Sequence, residues 1–499
     1  MNRGLLYLIA AWALLPFMIT GDSIWIDEGT AAKFAMQPDF PHWLDALAHE
    51  GGSDSQMLLG DFFAWVGGRV IGVGEWQLRV INLLWGGLTL LIAASIGRRL
   101  QIPWLPLFFT LQPFFWYYTN EARPYASQIT FGAMILLSLV QFVQAKGQGL
   151  VWVVTLTAGS VLLCFATMLA PVQIAVTVAA GGIIAGRNGW KIERRAPLIV
   201  LSGLLLLLPL GYYYLTTLVR GAKGAQLWNV DFRYLVFIPY EISGSLGLGP
   251  SLDHLREFAL KGLWSSIPEI AFQCATAFSL LTVVLVVILY GVWNRRRDEN
   301  PFLLIILIPF LLEVTILFIV GILIHKAFWP RHYSAAFPCY VTALALALKP
   351  LLAGQKIGRI ISVSLLGLLL AAVIGIRFGA EHQKEDYRWA AKEALHFSEE
   401  GQNVWWCAGG DAATYYGIIF DRKSPEGGGI FLMHNWEGAS PSHTGTIPSD
   451  LPDEIIMSRP DVHDGNGTVR KLIQEKNYQR MASRGSFELW LRQLPMRSE

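Results

Sequence analysis

The chain has 499 residues, of which 53% are hydrophobic and only 15% are charged. With a mean hydropathy of +0.42, this composition excludes a soluble multidomain protein and indicates that most of the chain lies in lipid. The formal net charge of +2 gives no support to a nucleic-acid partner.

Apolar runs long enough to cross a bilayer recur from residue 4 to about residue 376 and then stop. We predict eleven spans, at 4–20, 80–97, 102–118, 124–144, 150–168, 170–186, 197–216, 271–293, 302–324, 333–348 and 358–376. The first run is interpreted as an uncleaved span and not as a signal peptide, because no convincing small-residue cleavage site follows it. The pattern therefore predicts a polytopic α-helical membrane protein.

Lysines and arginines cluster in four loops, at 98–99, 187–195, 295–297 and 349–359. All four loops fall on one side of the predicted membrane, which the positive-inside rule makes cytoplasmic. We therefore expect the C-terminus to lie outside. The loops 21–79 and 217–270, with the short links 119–124 and 325–333, should then face outward together.

The outward loops carry a second pattern. Residues 30–79 are too polar to span a membrane, yet they contain apolar faces broken by prolines and glycines, as short interfacial helices do. The loop 217–270 has the same character, with aromatic residues such as Trp228 and Tyr240. Together these loops are predicted to wall a cavity at the outer membrane surface.

The composition becomes polar from about residue 377. Helix-like patterns at 387–400 and 468–476 are interspersed with strand-like patterns at 403–408, 451–457 and 487–491. We predict a small α/β domain over 377–499, following a transmembrane domain over 1–376.

Two adjacent acids, Asp27 and Glu28, follow the first span directly. Neighbouring carboxylates at a membrane surface repel each other and lose hydration, so they suggest a bound cation, a base or a compensating arginine. The alternative is that they cap a helix or are solvated at the surface.

Further charges lie at two other predicted outward turns. Glu121 and Arg123 occupy the first turn, and Lys326, Arg331 and His332 occupy the second. Cations there suit a phosphate whose negative charge grows as it leaves. The alternative is contact with lipid headgroups. His332 is interpreted as a hydrogen-bonding neighbour, since no second histidine stands nearby as a metal ligand.

These motifs carry a family resemblance. Asp27-Glu28 after the first span, Glu-Ala-Arg-Pro-Tyr at 121–125, and Arg331 with Tyr333 before a late span resemble the GT-C glycosyltransferases that include protein O-mannosyltransferases and the lipid A aminoarabinose transferase. The polar tail resembles the outer α/β domain of bacterial members. The resemblance implies a bacterial inner membrane protein that transfers a sugar from a polyprenyl-phosphate donor to a lipid, glycan or protein acceptor on the periplasmic or exterior face.

The resemblance also implies roles for individual residues. We hypothesise an inverting reaction with Asp27 as general base, in a catalytic group with Glu28 and Glu121. The lipid phosphate would be bound by Arg123, Lys326, Arg331 and Tyr333, and the acceptor or donor pocket would include Tyr125, Asp54 and His332. Some members of the family are thought to use a divalent metal ion and others not, so a metal is implied only as an alternative.

One segment departs from the family pattern. Many bacterial relatives carry His-Pro-Pro in the first outer loop, where this chain has Ser53-Asp54-Ser55-Gln56-Met57. Acceptor recognition and any metal bound there are expected to differ accordingly.

Two other functions compete with sugar transfer. A lipid-glycan flippase or transporter would carry charges well inside its helices, and Glu313 is the clear candidate for such a charge. A noncatalytic assembly protein would use its tail to bind a partner. The charged motifs at the ends of the spans favour the transferase.

Overall fold

A computed structural model of the chain describes residues 3–51, 54–223, 233–251, 254–255, 263–298, 302–422, 427–433, 451–465 and 467–493. Ser53 and Trp228, named in the predictions above, lie outside the described residues.

Apolar helices make up most of the described chain. Seven of them are long and apolar enough to cross a membrane: α5 (Glu75–Leu100), α8 (Tyr125–Gln144), α10 (Ala170–Asn188), α11 (Ala196–Lys223), α13 (Leu263–Asp298), α14 (Phe302–Leu323) and α16 (Lys356–Phe378). Shorter apolar helices are α1 (Arg3–Leu14, extended by a 3-10 turn to Met18), α9 (Val151–Ala166) and α15 (Phe337–Ala353). These helices confirm the prediction of an integral, polytopic helical membrane protein.

The predicted span 102–118 is the exception, because it is broken into α6 (Leu105–Thr110) and α7 (Pro113–Thr119). Proline restricts the residue before it to extended conformations, and Gln112 has a ψ of 117°. Pro113 therefore interrupts the helix and starts a new one, an effect that hydropathy does not register.

Helices α8 and α15 lie at the centre of the bundle, with most of their residues buried. Close approach between them depends on Gly132, since a Cβ atom at this position would lie 1.9 Å from the carbonyl oxygen of Ala335. This contact holds the segment that joins the 3-10 turn Pro330–Tyr333 to α15. The packing of α8 thus fixes the link that carries Arg331.

Short helices occupy the loops that were expected to face outward: α2 (Ile26–Ala35), α3 (Phe40–Glu50), α4 (Leu58–Ile71) and α12 (Arg233–Ile242). Aromatic side chains from α3 and α4 pack together, with the rings of Trp43 and Phe62 5.8 Å apart. The predicted interfacial helices are therefore present.

The C-terminal residues 387–493 form a domain that we call the sheet domain. Its helices are α17 (Tyr387–Glu399), α18 (Gly410–Tyr415), α19 (Pro460–His463) and α20 (Thr468–Glu475), and its strands are β1 (Asn403–Cys407), β2 (Gly429–Leu432), β3 (Glu454–Ser458), β4 (Tyr478–Arg484) and β5 (Phe487–Arg492). The strand order is β2-β1-β3-β5-β4, in which β1 runs parallel to β2 and β3 while β5 runs antiparallel to β3 and β4. The predicted α/β domain is confirmed, although β2 and β4 were not predicted.

The sheet domain packs directly on α2. A Cβ atom at Gly29 would lie 2.4 Å from the backbone nitrogen of Ala412, so only glycine admits α18 at this distance. Beside this contact, Asp411 accepts hydrogen bonds from Thr30 and Lys33 at 3.1 and 3.4 Å. The helix that carries Asp27 is therefore held against the sheet domain.

Candidate active site

The two acids after the first span lie in the first turn of α2. Trp25 precedes the helix in an extended conformation, and its backbone nitrogen donates to Glu28 at 3.4 Å, as in a capping box. Acidic side chains at a helix N-terminus are stabilised by the exposed N–H groups. Local capping thus presents Asp27 and Glu28 on adjacent sides of one turn.

Glu28 is fully buried and bound by two cations. Arg79 of α5 donates to both carboxylate oxygens, at 2.8 and 2.5 Å, and Lys384 donates to one of them at 2.9 Å. The backbone nitrogen of Ala122 adds a fourth hydrogen bond at 2.7 Å. Burial by itself would raise the pKa of Glu28, but Arg79 and Lys384 outweigh it and lower the pKa to about 2. The carboxylate is therefore ionised and fully engaged.

Arg79 also fixes the loop that leads to α2. Its guanidinium group donates to the backbone carbonyls of Thr20, Asp22 and Ser23, at 3.2, 2.7 and 3.0 Å. Such a loop would otherwise leave buried carbonyl groups without donors. One arginine therefore holds both the loop and the Glu28 carboxylate.

Asp27 is more accessible, with 26% of its side chain exposed against none for Glu28. Arg331 donates to its carboxylate at 2.7 Å, although the two residues are 304 positions apart. Arg123 donates to the backbone carbonyl of Asp27 at 3.0 Å. The structure thus brings to one point the segments after α1, after α7 and before α15, which were all predicted to face outward.

Arg123 is buried and has a second partner. Its guanidinium group binds the buried carboxylate of Asp54 at 2.5 Å, and Asp61 of α4 lies close by with its Oδ2 atom unpaired among the described residues. Burial, reinforced by the charge of Asp54, raises the pKa of Asp61 well above its usual value. Asp54 and Arg123 thus form an ion pair, and burial favours the protonated form of Asp61 beside them.

Glu121 lies one residue from the nitrogen that binds Glu28. Its side chain is buried, and its Oε2 atom has no hydrogen-bond partner among the described residues. Burial raises the pKa of Glu121 to about 7, although Lys384 opposes the rise. Its charge therefore changes within the physiological pH range.

The link 325–333 carries the other predicted residues. Lys326 is half-buried and has no ion-pair partner in the described chain. Burial lowers the pKa of its ammonium group. His332 is held by the carbonyl of Trp329 at 3.1 Å, and burial and then Arg331 lower the pKa of His332 to about 3. Tyr333 is fully buried in the main apolar core, and its hydroxyl has no hydrogen-bond partner among the described residues.

Aromatic residues surround Arg331. Tyr125 lies under Arg123, whose guanidinium carbon is 5.9 Å from the ring centre, and its hydroxyl adds a polar group near Arg331. Tyr118 donates to the buried carboxylate of Glu241 on α12. Burial raises the pKa of Glu241 to about 7. The site therefore combines one accessible acid with a wall of tyrosines and partly neutral carboxyls.

The carboxylates do not form a metal site in this arrangement. Asp27, Glu28 and Asp54 each bind an arginine, and among the described residues no group of three or more His, Cys, Asp or Glu side chains is placed to hold an ion.

Several residues of the site were not predicted from the sequence. Arg79, Lys384, Asp61 and Glu241 are single charges without a motif. A signal exists for Arg79 and Lys384, since each lies just outside a predicted span on the outward side. Asp61 and Glu241 lie in short helices of the outward loops, where sequence alone does not distinguish a buried from a solvated acid.

No family model and no curated protein matches the sequence. Among solved structures, ArnT from Cupriavidus metallidurans in the apo state aligns over 97% of both chains with 12% identity and a TM-score of 0.54. The same protein bound to undecaprenyl phosphate aligns over 97% of both chains, with 11% identity and a TM-score of 0.44. The alignment with an oligosaccharyltransferase from Archaeoglobus fulgidus in the apo form covers 84% of this chain and 60% of the oligosaccharyltransferase, with 13% identity and a TM-score of 0.48.

The first of these likenesses carries the assignment of the fold. ArnT is the lipid A aminoarabinose transferase, a member of the GT-C superfamily. The fold expected from the resemblance of the sequence motifs is therefore confirmed.

Proposed function

We propose that this protein is an inverting glycosyltransferase that moves a sugar from a polyprenyl-phosphate donor to an acceptor hydroxyl, with Asp27 as general base. The carrying observation is the Asp27–Arg331 pair, which places an accessible carboxylate and a phosphate-binding cation 2.7 Å apart. Both side chains are about one quarter exposed, so substrate can reach either. The GT-C fold supports the same class of reaction.

The reaction joins two partial steps at one carbon. The acceptor oxygen forms a bond to the anomeric carbon as the bond from that carbon to the phosphate oxygen breaks, and the bonding electrons leave with the lipid phosphate. The acceptor proton passes to the Asp27 carboxylate. Attack opposite the leaving phosphate inverts the anomeric centre. Orientation must supply much of the rate, because an ordinary aspartate is a weak base.

Arg331 is the main candidate for binding the leaving phosphate. A guanidinium group matches two phosphate oxygens at once and stabilises the charge that develops on them. Contact with the donor would draw Arg331 from Asp27 and release the carboxylate for the acceptor. Lys326, which has no carboxylate partner among the described residues, supplies a second positive charge on the same link.

The remaining charges support these two residues. Arg123 holds the Asp27 backbone and is itself held by Asp54, so it acts as a positioning residue and not as a direct phosphate ligand. Glu28 has no free oxygen to offer a substrate, because five hydrogen bonds fill its carboxylate. Tyr125 and the neutral His332 complete the walls of the pocket, and Tyr333 anchors the link in the core.

The side of the membrane follows from the loop charges. Lysines and arginines concentrate in the loops at the opposite end of the spans from Asp27, which makes the site end periplasmic or exterior in a bacterial inner membrane. A lipid-linked donor suits that side. The acceptor would be a lipid, glycan or protein exposed there.

The test is sugar release by the purified protein in detergent, with a panel of radiolabelled polyprenyl-phosphate sugars. We expect one donor to be cleaved by the native protein and by Asp45→Asn, a control that changes an exposed carboxylate on α3. Asp27→Asn should lose at least about a hundredfold in rate, as expected for loss of a general base, while keeping its melting temperature.

Two results would contradict the proposal. Near-native turnover by Asp27→Asn would exclude the base. Movement of the donor across vesicle membranes by the native protein, without release of sugar from any donor of the panel, would instead assign the protein to lipid transport.

A further inference from the structure

Lys384 connects the sheet domain to the buried centre of the site. It lies between the last span, which ends at Phe378, and α17, which begins at Tyr387. Its ammonium group donates to the Glu28 carboxylate and to the carbonyl of Asn120, both at 2.9 Å. Only 8% of the side chain is exposed. A buried lysine is costly unless it is paired, so this contact is a built feature of the site.

Contacts next to the linker 379–386 serve a different purpose. Arg388 binds Glu75 at 2.7 and 2.5 Å and the carbonyl of Gly21 at 2.7 Å, with half of its side chain exposed. These bonds attach the sheet domain to the membrane helices. They do not touch Glu28 or Glu121, which makes Arg388 a matched control for Lys384.

The linker also borders a large cleft between the membrane helices and the sheet domain. The cleft encloses about 1200 Å³, and its walls include Asp22, Lys384 and the β4–β5 hairpin. Lys384 therefore separates solvent in the cleft from the buried carboxylates behind it.

We propose that Lys384 is a positioning residue of the transfer centre, which holds Glu28 and the Asn120 carbonyl in place and brings a positive charge beside the backbone that carries Glu121. This inference rests on the proposed function for its catalytic meaning, but its geometry stands independently. Because Asn120 directly precedes Glu121, the lysine constrains both the backbone and the local potential of that acid. A residue at the border of the sheet domain thus completes the site formed by the helices.

The charge of Glu121 depends on four groups from three segments. Lys384 and Arg331 favour its ionised form, whereas Glu28 and Asp27 oppose it. Removing the ammonium group leaves the two acids and one arginine, so ionisation of Glu121 should shift to higher pH. An opposite charge within ~4–6 Å typically shifts a carboxyl pKa by about 1–3 units.

The experiment is an infrared titration of the protonated Glu121 carboxyl in the purified full-length protein. Its C=O band is isolated by subtracting the spectrum of Glu121→Gln. We expect a midpoint near pH 7 in the native protein and in Arg388→Gln, and a midpoint at least about one unit higher in Lys384→Met. An unshifted midpoint in folded Lys384→Met would overturn the proposal.

A second variant covers the case in which Lys384→Met does not fold. Lys384→Cys, made together with Cys274→Ala because Cys274 is exposed, can be alkylated to restore a side-chain amine. Recovery of the native midpoint after alkylation supports the role of the charge, and a midpoint unchanged by alkylation contradicts it. The titration needs no turnover, so it separates this inference from failure of the transferase assay. If transfer occurs, its pH–rate profile should shift in the same direction.

Discussion

The replacement Glu28→Gln tests whether this acid is structural or chemical. In the structure, its carboxylate is the counter-charge of two buried or nearly buried cations, Arg79 and Lys384. Glutamine keeps the shape but leaves Arg79 without a negative partner. Breaking a buried ion pair in this way typically costs about 3–5 kcal/mol. We therefore expect a clear loss of thermal stability, accompanied by loss of the folded fraction.

The contribution of the Glu28–Arg79 pair to stability can be measured more directly with a double-variant cycle. Arg79→Met alone leaves Glu28 with Lys384 and two backbone donors, and it also removes the donors of three loop carbonyls. In the double variant Arg79 is no longer stranded, although Lys384 still lacks its carboxylate, so the cost should fall below the sum of the single costs by about 0.5–3 kcal/mol. The backbone carbonyls limit the recovery, since each lost hydrogen bond costs about 1 kcal/mol.

The assay is the melting temperature in detergent, measured by tryptophan fluorescence, with size-exclusion chromatography to count folded protein. Sugar release is measured on the same samples. A Glu28→Gln protein with native melting behaviour and no turnover would refute the structural role and return Glu28 to the chemistry. Additive costs in the cycle would show that Arg79 and Glu28 do not depend on each other.

Two further predictions concern the supporting charges. Asp61→Asn should change the melting temperature little at pH 7, because burial and the charge of Asp54 favour the protonated form of Asp61. The double variant with Asp54→Asn should be the least stable, since neither acid is then available to pair with Arg123, and equal melting temperatures of the Asp54→Asn variant and the double variant would contradict this. For His332, the folded pKa of about 3 lies below its ordinary value, so the unfolded chain takes up the proton first and stability falls as pH drops from about 6.5 towards 3. His332→Gln should reduce this acid destabilisation, whereas an unchanged pH dependence of the melting temperature would show that the imidazole is not neutral in the folded protein.

Hydropathy predicts the helical part of the fold well, because a bilayer imposes one length and one composition on every span. It fails at 102–118, where Pro113 breaks an apolar run into two short helices. In the sheet domain, β1, β3 and β5 are apolar enough to be predicted as strands from the sequence. β2 begins in a run of glycines, and β4 carries mostly exposed polar side chains at the edge of the sheet, so neither shows the alternation that predicts a strand.

The candidate site was predicted where topology alone brings residues together. Asp27, Arg123 and Arg331 were expected to share one end of the spans, and they meet within hydrogen-bonding distance. The distinction between Asp27 and Glu28 could not be predicted, because it depends on Arg79 and Lys384. Each of these residues comes from a distant segment, and only the packed structure shows that both bind the Glu28 carboxylate.

Binding of both cations to Glu28 explains how two adjacent acids can have different roles in the proposed reaction. The repulsion expected between Asp27 and Glu28 is removed by giving each its own cation: Glu28 receives permanent partners in a closed environment, and Asp27 receives Arg331 in an open one. A phosphate can compete for Arg331 only because this second pair is accessible. In the proposed reaction, one charge pair therefore stays fixed and holds the geometry of the site while the other is exchangeable, so that binding of an anionic donor would free Asp27 to act as the base.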